Sequence, residues 1–374
     1  MMRVRRALLF VAIAAVQFAM FEAALRIWGH SEAAPSFQAL FMPDPVIGYR
    51  LRPNARSRFV TSEFETTIAI NGQGVRDDRE IGPKASGERR IVVLGDSLVL
   101  SVQVDVRQTF CRLLEDRLNR DAAARPGGGV RYRVINAGVQ GYGPVEERLF
   151  YREIARAFDP DLVIETIFVG NDAEDAAASA WKLRAQGSAG APDPSSATDV
   201  SDTTVSRLRR VVRHSMVLQV LRLRVVTVTD RLSNWITPPE PPLQAYAAKP
   251  APRIAEGLRV SRECVQAIAS DAATAHARTM VLLIPARFQV DDADYGHLKE
   301  AVEGAGGHLV RDAASERFNE ALAGLAVPRL DVLPALRAAL PGPDVFFRQT
   351  VHLTPRGHEI VADAIDAFLL RQGI

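Results

Sequence analysis

The sequence has little cysteine and almost no net charge. Its 374 residues include two cysteines, Cys111 and Cys264, which is too few for a fold held together by disulfide bonds. Both lie in segments with helical spacing, so we expect two buried thiols, with a single bridge between them as the alternative. The formal charge is +2, and the arginines are scattered rather than clustered. We therefore expect no nucleic-acid partner, because such surfaces concentrate basic residues.

The sequence also lacks the spacings that bind metals and phosphates. Four histidines stand apart from any cysteine or carboxylate at the spacing of a metal site: His214, His276, His297 and His308. No glycine-rich phosphate-binding loop is present. We therefore predict no metal and no cofactor. Apolar residues, by contrast, make up 47% of the chain, which is enough for a large core.

Residues 1–30 have the composition of a membrane anchor or an export signal. Arg3, Arg5 and Arg6 precede a largely apolar run from Ala7 to Trp28, which is long enough to cross about 30 Å of hydrocarbon. No clear small-residue cleavage site follows the run directly, and the arginines favour a cytoplasmic N-terminus. We predict a single-pass transmembrane anchor in the inner membrane, with the remaining chain in the periplasm. The alternatives are secretion after signal cleavage and a buried amphipathic helix.

Two regions lie outside the main domain's regular pattern. Residues 31–87 form a small β-containing lead-in, in which Phe64–Ile70 has the composition of a strand and Asn71-Gly72 that of a turn. An insertion over about residues 183–252 interrupts the main domain, residues 88–374. Its polar stretch over 186–204 has the composition of a disordered segment. A helical pattern over 205–232 and a proline-rich linker over 238–252 follow.

Five short apolar runs in the main domain predict the strands of a parallel sheet. They are bounded by turn residues and separated by helical patterns, as in sheets whose crossover helices cover both faces. The runs are 90–95, 132–136, 162–169, 279–285 and 329–333. Thr354 followed by Pro355 predicts the start of a last helix. The predicted fold class is therefore α/β, a three-layer α/β/α sandwich.

Reactive and hydrogen-bonding groups follow three of these runs. The first leads into Gly95-Asp96-Ser97, the second into Asn136-Ala137-Gly138 and the third into Gly170-Asn171-Asp172, and His352 precedes the last helix. The carboxyl ends of parallel strands share one edge of the sheet, so these groups converge. A serine hydroxyl, a histidine base and donors for an oxyanion make up an acyl-transfer site. Taken singly, each residue is more typical of a structural role, such as a helix cap or a turn.

This arrangement resembles the SGNH hydrolases, also called GDSL-type esterases and lipases, over about residues 88–374. Ser97 matches the family's nucleophile, and His352 matches its base. Gly138 and Asn171 match the oxyanion donors, together with the N–H of Ser97. The resemblance implies a five-stranded, flavodoxin-like parallel sheet and an acyl-ester substrate. The anchor and the segment Asp44–Tyr49 also look like the extracytoplasmic bacterial members, which act on acylated carbohydrates or lipids.

One position departs from the family pattern. The family's aspartate, three residues before the histidine, is replaced here by Gln349, and a neutral amide cannot stabilise an imidazolium as a carboxylate does. We predict that a neutral carbonyl, from Gln349 or the backbone beside it, orients His352, with Asp344 as the alternative. The predicted function is a serine esterase. The alternatives are an O-acyltransferase acting on a cell-surface polysaccharide and an inactive binding protein with the SGNH fold.

Overall fold

A computed structural model describes residues 37–124, 129–188, 243–342 and 344–373, together with Gln17, Phe18 and Met20. The described residues from 37 onward belong to one structural unit. Apart from those three residues, the predicted anchor over 1–30 lies outside the described residues, as does the helical pattern over 205–232. Within the part of the chain that is described, no helix combines the length and apolarity that crossing a membrane requires.

The described residues contain nine strands. In chain order they are β1 (Phe41–Asp44), β2 (Gly48–Leu51), β3 (Arg56–Val60), β4 (Glu65–Ala69), β5 (Glu88–Gly95), β6 (Arg131–Gly138), β7 (Leu162–Phe168), β8 (Arg278–Ile284) and β9 (Arg329–Asp331). The last five form one parallel sheet in the spatial order β6-β5-β7-β8-β9. This is the predicted flavodoxin-like sheet, and all five predicted runs are confirmed as its strands.

Ten α-helices occur in the same ranges. They are α1 (Ser97–Leu100), α2 (Phe110–Ala124), α3 (Pro144–Glu153), α4 (Asp172–Ser188), α5 (Pro252–Thr274), α6 (Arg287–Val290), α7 (Asp292–Gly304), α8 (Ala313–Ala321), α9 (Leu333–Ala338) and α10 (Pro355–Arg371). Helix α4 continues to Ser188, so the first residues of the stretch predicted to be disordered are helical. Helix α10 begins as predicted, because the Thr354 side chain accepts a hydrogen bond from the N–H of Gly357.

The alternation of side chains along β5 builds the two outer layers. Ile91 and Val93 belong to the core that contains residues of α2 and α10. Val92 and Leu94 belong to the core on the other side, with residues of α3 and α5. All four side chains are almost fully buried, and burial of each is worth about 1.5–3 kcal/mol. The predicted three-layer arrangement therefore follows from an apolar strand that is covered on both faces.

The two cysteines are free and buried, as predicted. Cys111 lies on α2 in the first core, whereas Cys264 lies on α5 in the second core. The alternative of a bridge between them is therefore wrong, because the sheet separates the two thiols.

The lead-in contains more regular structure than the sequence predicts. Strands β1 and β2 form one antiparallel hairpin and β3 and β4 form another, of which only β4 coincides with the predicted strand. The other three are four or five residues long, too short for a clear alternation of apolar residues. Leu40, Ile47, Leu51 and Ile68 are buried in the same core as Val92, so the lead-in extends one layer of the main domain.

Candidate active site

Ser97 lies at the turn between the central strand β5 and helix α1. A Cβ added to Gly95 would lie 2.2 Å from Val99 Cγ2, so only glycine permits this sharp turn. Asp96 caps the helix, because its Oδ1 accepts a hydrogen bond of 2.7 Å from the N–H of Leu98. The Ser97 side chain is 8% exposed, and its Oγ donates only a long bond of 3.4 Å to Asp96 Oδ2. The hydroxyl is thus held at the strand end without a strong partner.

Gly138 ends the neighbouring strand and is paired in register with Gly95. A Cβ at this position would lie 2.4 Å from the backbone nitrogen of Leu100, so the missing side chain lets β6 contact α1 directly. The Gly138 N–H donates to Asn136 Oδ1 at 3.1 Å, and Asn136 Nδ2 donates to the Val99 carbonyl at 2.6 Å. The predicted oxyanion donor therefore lies beside α1, but it already has a protein acceptor.

Asn171 follows β7, the strand on the other side of β5. Its Nδ2 donates a hydrogen bond of 2.7 Å to Asp175 Oδ2. A side-chain amide has two N–H donors, so this bond orients the group and leaves the second donor for a ligand. Burial, together with the nearby carboxylates Glu146, Asp96 and Glu174, raises the pKa of Asp175 to about 7. Ser97, Gly138 and Asn171 therefore follow three adjacent strands at one edge of the sheet.

His352 lies in the loop between α9 and α10. Among the described residues, neither ring nitrogen has a hydrogen-bond partner, so the imidazole bonds neither to Ser97 nor to an orienting group. Burial lowers the pKa of His352 to about 4. The ring is consequently neutral at pH 7, which is the protonation state that a general base requires.

The predicted orienting groups do not contact His352. Gln349 Oε1 instead accepts a hydrogen bond of 3.2 Å from Ser62 Oγ, and Asp344 Oδ2 accepts one of 2.9 Å from Arg348 Nε. Both side chains are exposed. The prediction that the Gln349 side chain orients the histidine is wrong for this structure, because the loop turns residue 349 toward the lead-in. The Asp344 alternative fails because its carboxylate is paired with Arg348.

Comparisons with known proteins find no matching family model and no matching curated protein. Solved structures do match. TesA is 14% identical, with 75% of this chain and 98% of that chain covered and a TM-score of 0.37. The acetyl xylan esterase AlAXEase is 13% identical, with 75% and 99% covered and a TM-score of 0.38. A catalytic mutant of Axe2, an acetylxylan esterase from Geobacillus stearothermophilus, is 12% identical, with 76% and 94% covered and a TM-score of 0.39. At these identities and TM-scores, the likeness does not indicate which reaction this chain catalyses.

The second histidine near the site is structural, as its place in the first turn of the last helix predicts. His358 is 1% exposed, and its Nδ1 accepts a hydrogen bond of 3.3 Å from the N–H of Phe110. Its ring also stacks on the Phe110 ring, with 5.8 Å between the centroids. These contacts join α10 to α2.

An open groove of about 760 Å³ runs beside Asn171 and the loop that carries His352. Apolar side chains form much of its lining: Phe168, Leu243, Phe288, Leu298, Ala301 and Val351. Thr350 and Gln349 line the same groove. An apolar acyl chain fits such a surface, because its burial there removes apolar area from water.

Sequence reasoning missed a set of buried carboxyl groups around the strand ends. Glu165 on β7 and Glu147 on α3 are at most 1% exposed, as is Asp172. Burial raises the pKa of Glu165 to about 8 and that of Asp96 to about 6, and it raises the pKa values of Glu147 and Asp172 well above their usual range. The sequence signal is Glu165, a carboxyl group in the middle of an apolar run.

These carboxyl groups do not form a metal site. Among the described residues, no group of three or more histidine, cysteine, aspartate or glutamate side chains is arranged to hold a metal ion.

Proposed function

We propose that this chain is a serine ester hydrolase of the SGNH type, with Ser97 as nucleophile and His352 as base. The observation that carries this proposal is the position of Ser97, Gly138 and Asn171 at the carboxyl ends of three adjacent strands, β5, β6 and β7. A hydroxyl at the end of the central strand and donors on both sides of it suit attack on an acyl carbonyl.

The reaction proceeds in two acyl-transfer steps. Ser97 Oγ attacks the ester carbonyl while His352 takes its proton. The N–H of Ser97 and the second side-chain N–H of Asn171 bind the oxyanion, and the Gly138 N–H joins them by exchanging its bond to Asn136 Oδ1 for one to the oxyanion. The alcohol leaves with that proton, and water then attacks the acyl-enzyme with His352 again as base. The hydrogen bond between Ser97 and His352 must form when substrate binds, and catalytic hydrogen bonds are often long or absent without substrate.

The proposed substrate is an O-acyl ester of a carbohydrate or a lipid, as the family resemblance implies. The apolar groove beside Asn171 supports the acyl part of this proposal, because it offers a binding surface next to an oxyanion donor. We also propose that residues 1–30 anchor the chain in the inner membrane with the catalytic domain in the periplasm. An alkaline phosphatase fused after residue 374, which is active only when exported, tests this topology.

The test of the proposed activity is hydrolysis of p-nitrophenyl esters of increasing acyl length by the full chain, combined with fluorophosphonate labelling. We expect turnover in water without a sugar acceptor, and covalent labelling at Ser97. Turnover that requires an added oligosaccharide would instead indicate an O-acyltransferase.

One observation favours a second candidate, an inactive binding protein with this fold. His352 has no orienting partner among the described residues, and Gln349 stands where a carboxylate would stabilise the imidazolium. A folded wild-type protein that neither hydrolyses any ester of the series nor reacts with the fluorophosphonate would support this candidate and contradict the esterase.

A further inference from the structure

The hairpin of β3 and β4 contacts the loop that precedes the last helix. We call residues 345–352 the histidine loop. At the tip of the hairpin, Glu63 Oε1 accepts a hydrogen bond of 2.8 Å from the N–H of Arg348. Glu63 Oε2 accepts one of 2.9 Å from the N–H of Gln349. Beside them, the rings of Phe64 and Phe347 pack with centroids 5.4 Å apart. One carboxylate therefore binds two consecutive backbone N–H groups of the histidine loop.

The carbonyl groups of the same peptides are bound by a cation. The Arg287 guanidinium, at the start of α6, donates to the Phe347 carbonyl at 3.0 Å and to the Arg348 carbonyl. The N–H of Phe347 in turn donates to the His352 carbonyl at 2.9 Å. Phe347, whose carbonyl Arg287 binds, is thus hydrogen-bonded to the backbone of His352, beside the bridge between Phe346 and Leu353.

The lead-in also binds the segment that follows Ser97. Arg76, 1% exposed, donates to the carbonyls of Leu100 and Ser101 and to that of Val104. Thr66 Oγ1, on β4, donates to the Val102 carbonyl at 2.6 Å. The lead-in therefore contacts the backbone on both sides of the proposed site, next to the nucleophile and next to the base.

We infer that Glu63 is a positioning residue for the proposed esterase: it fixes the histidine loop, and through it His352, relative to the Ser97 segment held by Arg76. This inference rests on the proposed function. The histidine ring lacks a carboxylate of its own, so the orientation of the base depends on its backbone. Hydrogen bonds that backbone N–H groups donate to a carboxylate are charge-assisted and stronger than those to a neutral acceptor. Catalysis depends on placement of the reacting groups to within about 1 Å.

The test compares three variants of the full chain. Glu63→Ala removes the acceptor of both loop N–H groups, and Glu63→Asp keeps a carboxylate on a shorter side chain. Glu65→Ala is the matched control, because Glu65 is two residues away on the same hairpin and is exposed in an ion pair with Arg58. The first readout is amide hydrogen exchange in the peptide that contains Arg348 and Gln349, which requires no activity. The second is the separation of kcat from KM in ester hydrolysis.

For Glu63→Ala we expect loss of exchange protection at residues 348 and 349 and a fall in kcat of about 10- to 100-fold, with KM changed by less than about twofold. Glu63→Asp should recover part of both the protection and kcat, and Glu65→Ala should resemble the wild type. A general loss of structure would lower protection throughout the chain and would not be repaired by aspartate.

Two results would overturn the inference. Unchanged exchange at residues 348 and 349 in Glu63→Ala would show that the carboxylate does not hold the loop. Lost protection with unchanged kcat would show that the loop does not position the base. Failure of the proposed function is a separate result. A wild-type protein without ester turnover or labelling would contradict the esterase, and the exchange comparison would still decide whether Glu63 holds the loop.

Discussion

The two halves of the proposed site differ in how their reactive groups are held. On the serine side, neighbouring residues fix the group directly: Asp96 caps α1, and the glycine at 138 lets β6 contact that helix. On the histidine side, the ring nitrogens have no partner among the described residues. There only the backbone is held, by groups as distant in sequence as Glu63 and Arg287.

This difference separates local from remote determinants of a site. On the serine side, the glycine turn at 95 and the Asp96 cap that orient Ser97 lie next to it in sequence. The histidine loop depends on a hairpin far away in sequence, because Glu63 precedes Arg348 by 285 residues. Substitutions on the serine side should therefore affect the chemistry directly, whereas those on the histidine side should act through placement.

The largest effect is expected for Ser97→Ala. Removal of the nucleophile should lower kcat by about 10⁴-fold or more and abolish fluorophosphonate labelling. The fold should be preserved, because the Ser97 hydroxyl makes only a long hydrogen bond. Circular dichroism checks the fold, and Ser86→Ala, at an exposed position, is the control. Labelling of Ser97→Ala at the wild-type level would remove Ser97 from the mechanism.

The next largest effect is expected for Asn171→Ala. Loss of one oxyanion donor typically lowers kcat by about 10²- to 10³-fold with little change in KM. The comparison variant is Asp175→Ala, which leaves the amide in place but removes the carboxylate that orients it. Its effect on kcat should be clearly smaller. An effect of Asn171→Ala on KM alone would mean that this residue binds substrate without stabilising the oxyanion.

A smaller effect is expected in the pH dependence of kcat/KM, which reports on the protonation of His352. Burial lowers the pKa of His352 to about 4, and the base acts only when the ring is neutral, above its pKa. Activity should therefore persist at pH 5, where a histidine with an ordinary pKa of about 6.5 would be about 97% protonated. The measurement is kcat/KM from pH 4 to pH 8 with folding monitored. An acid limb near pH 6.5 that persists in Asp175→Ala would show that the ring is solvated or paired with a carboxylate, since Asp175 itself has a pKa of about 7 in the wild type.

The sequence predicts the serine side and the sheet better than the histidine side, for a physical reason. Strands such as β5 and β7 are recognisable in the sequence as apolar runs because they are buried on both faces. The ends of these runs predict where Ser97 and Asn171 lie. The partners of Gln349 come from Ser62 and Glu63, and no pattern around residue 349 indicates that contact. The buried carboxyl of Glu147 was missed similarly, because helical spacing alone does not tell a buried glutamate from an exposed one.

A smaller effect still is expected at Gln349, at the position where the family has its aspartate. In the serine–histidine–aspartate template, replacing that carboxylate by an amide lowers kcat by about 10⁴-fold. Here the amide is already present and contacts Ser62 rather than His352. The bond from its backbone to Glu63 survives truncation of the side chain. Gln349→Ala should therefore lower kcat by about tenfold or less, since it removes no charge from the histidine.

Asp344→Asn tests the same point from the other side, because Asp344 is the nearby carboxylate that could take the role of the family aspartate absent at position 349. Asp344 is exposed and paired with Arg348, and exposed ion pairs are worth only about 0–1 kcal/mol. We therefore expect almost no change in kcat or in the pH profile. A loss of about 10³-fold or more in kcat, with folding unchanged, would show that Asp344 leaves Arg348 and completes a triad when substrate binds. The histidine side would then resemble the serine side, with its orienting group close by in sequence, and the role assigned to Glu63 would be reduced to holding the loop.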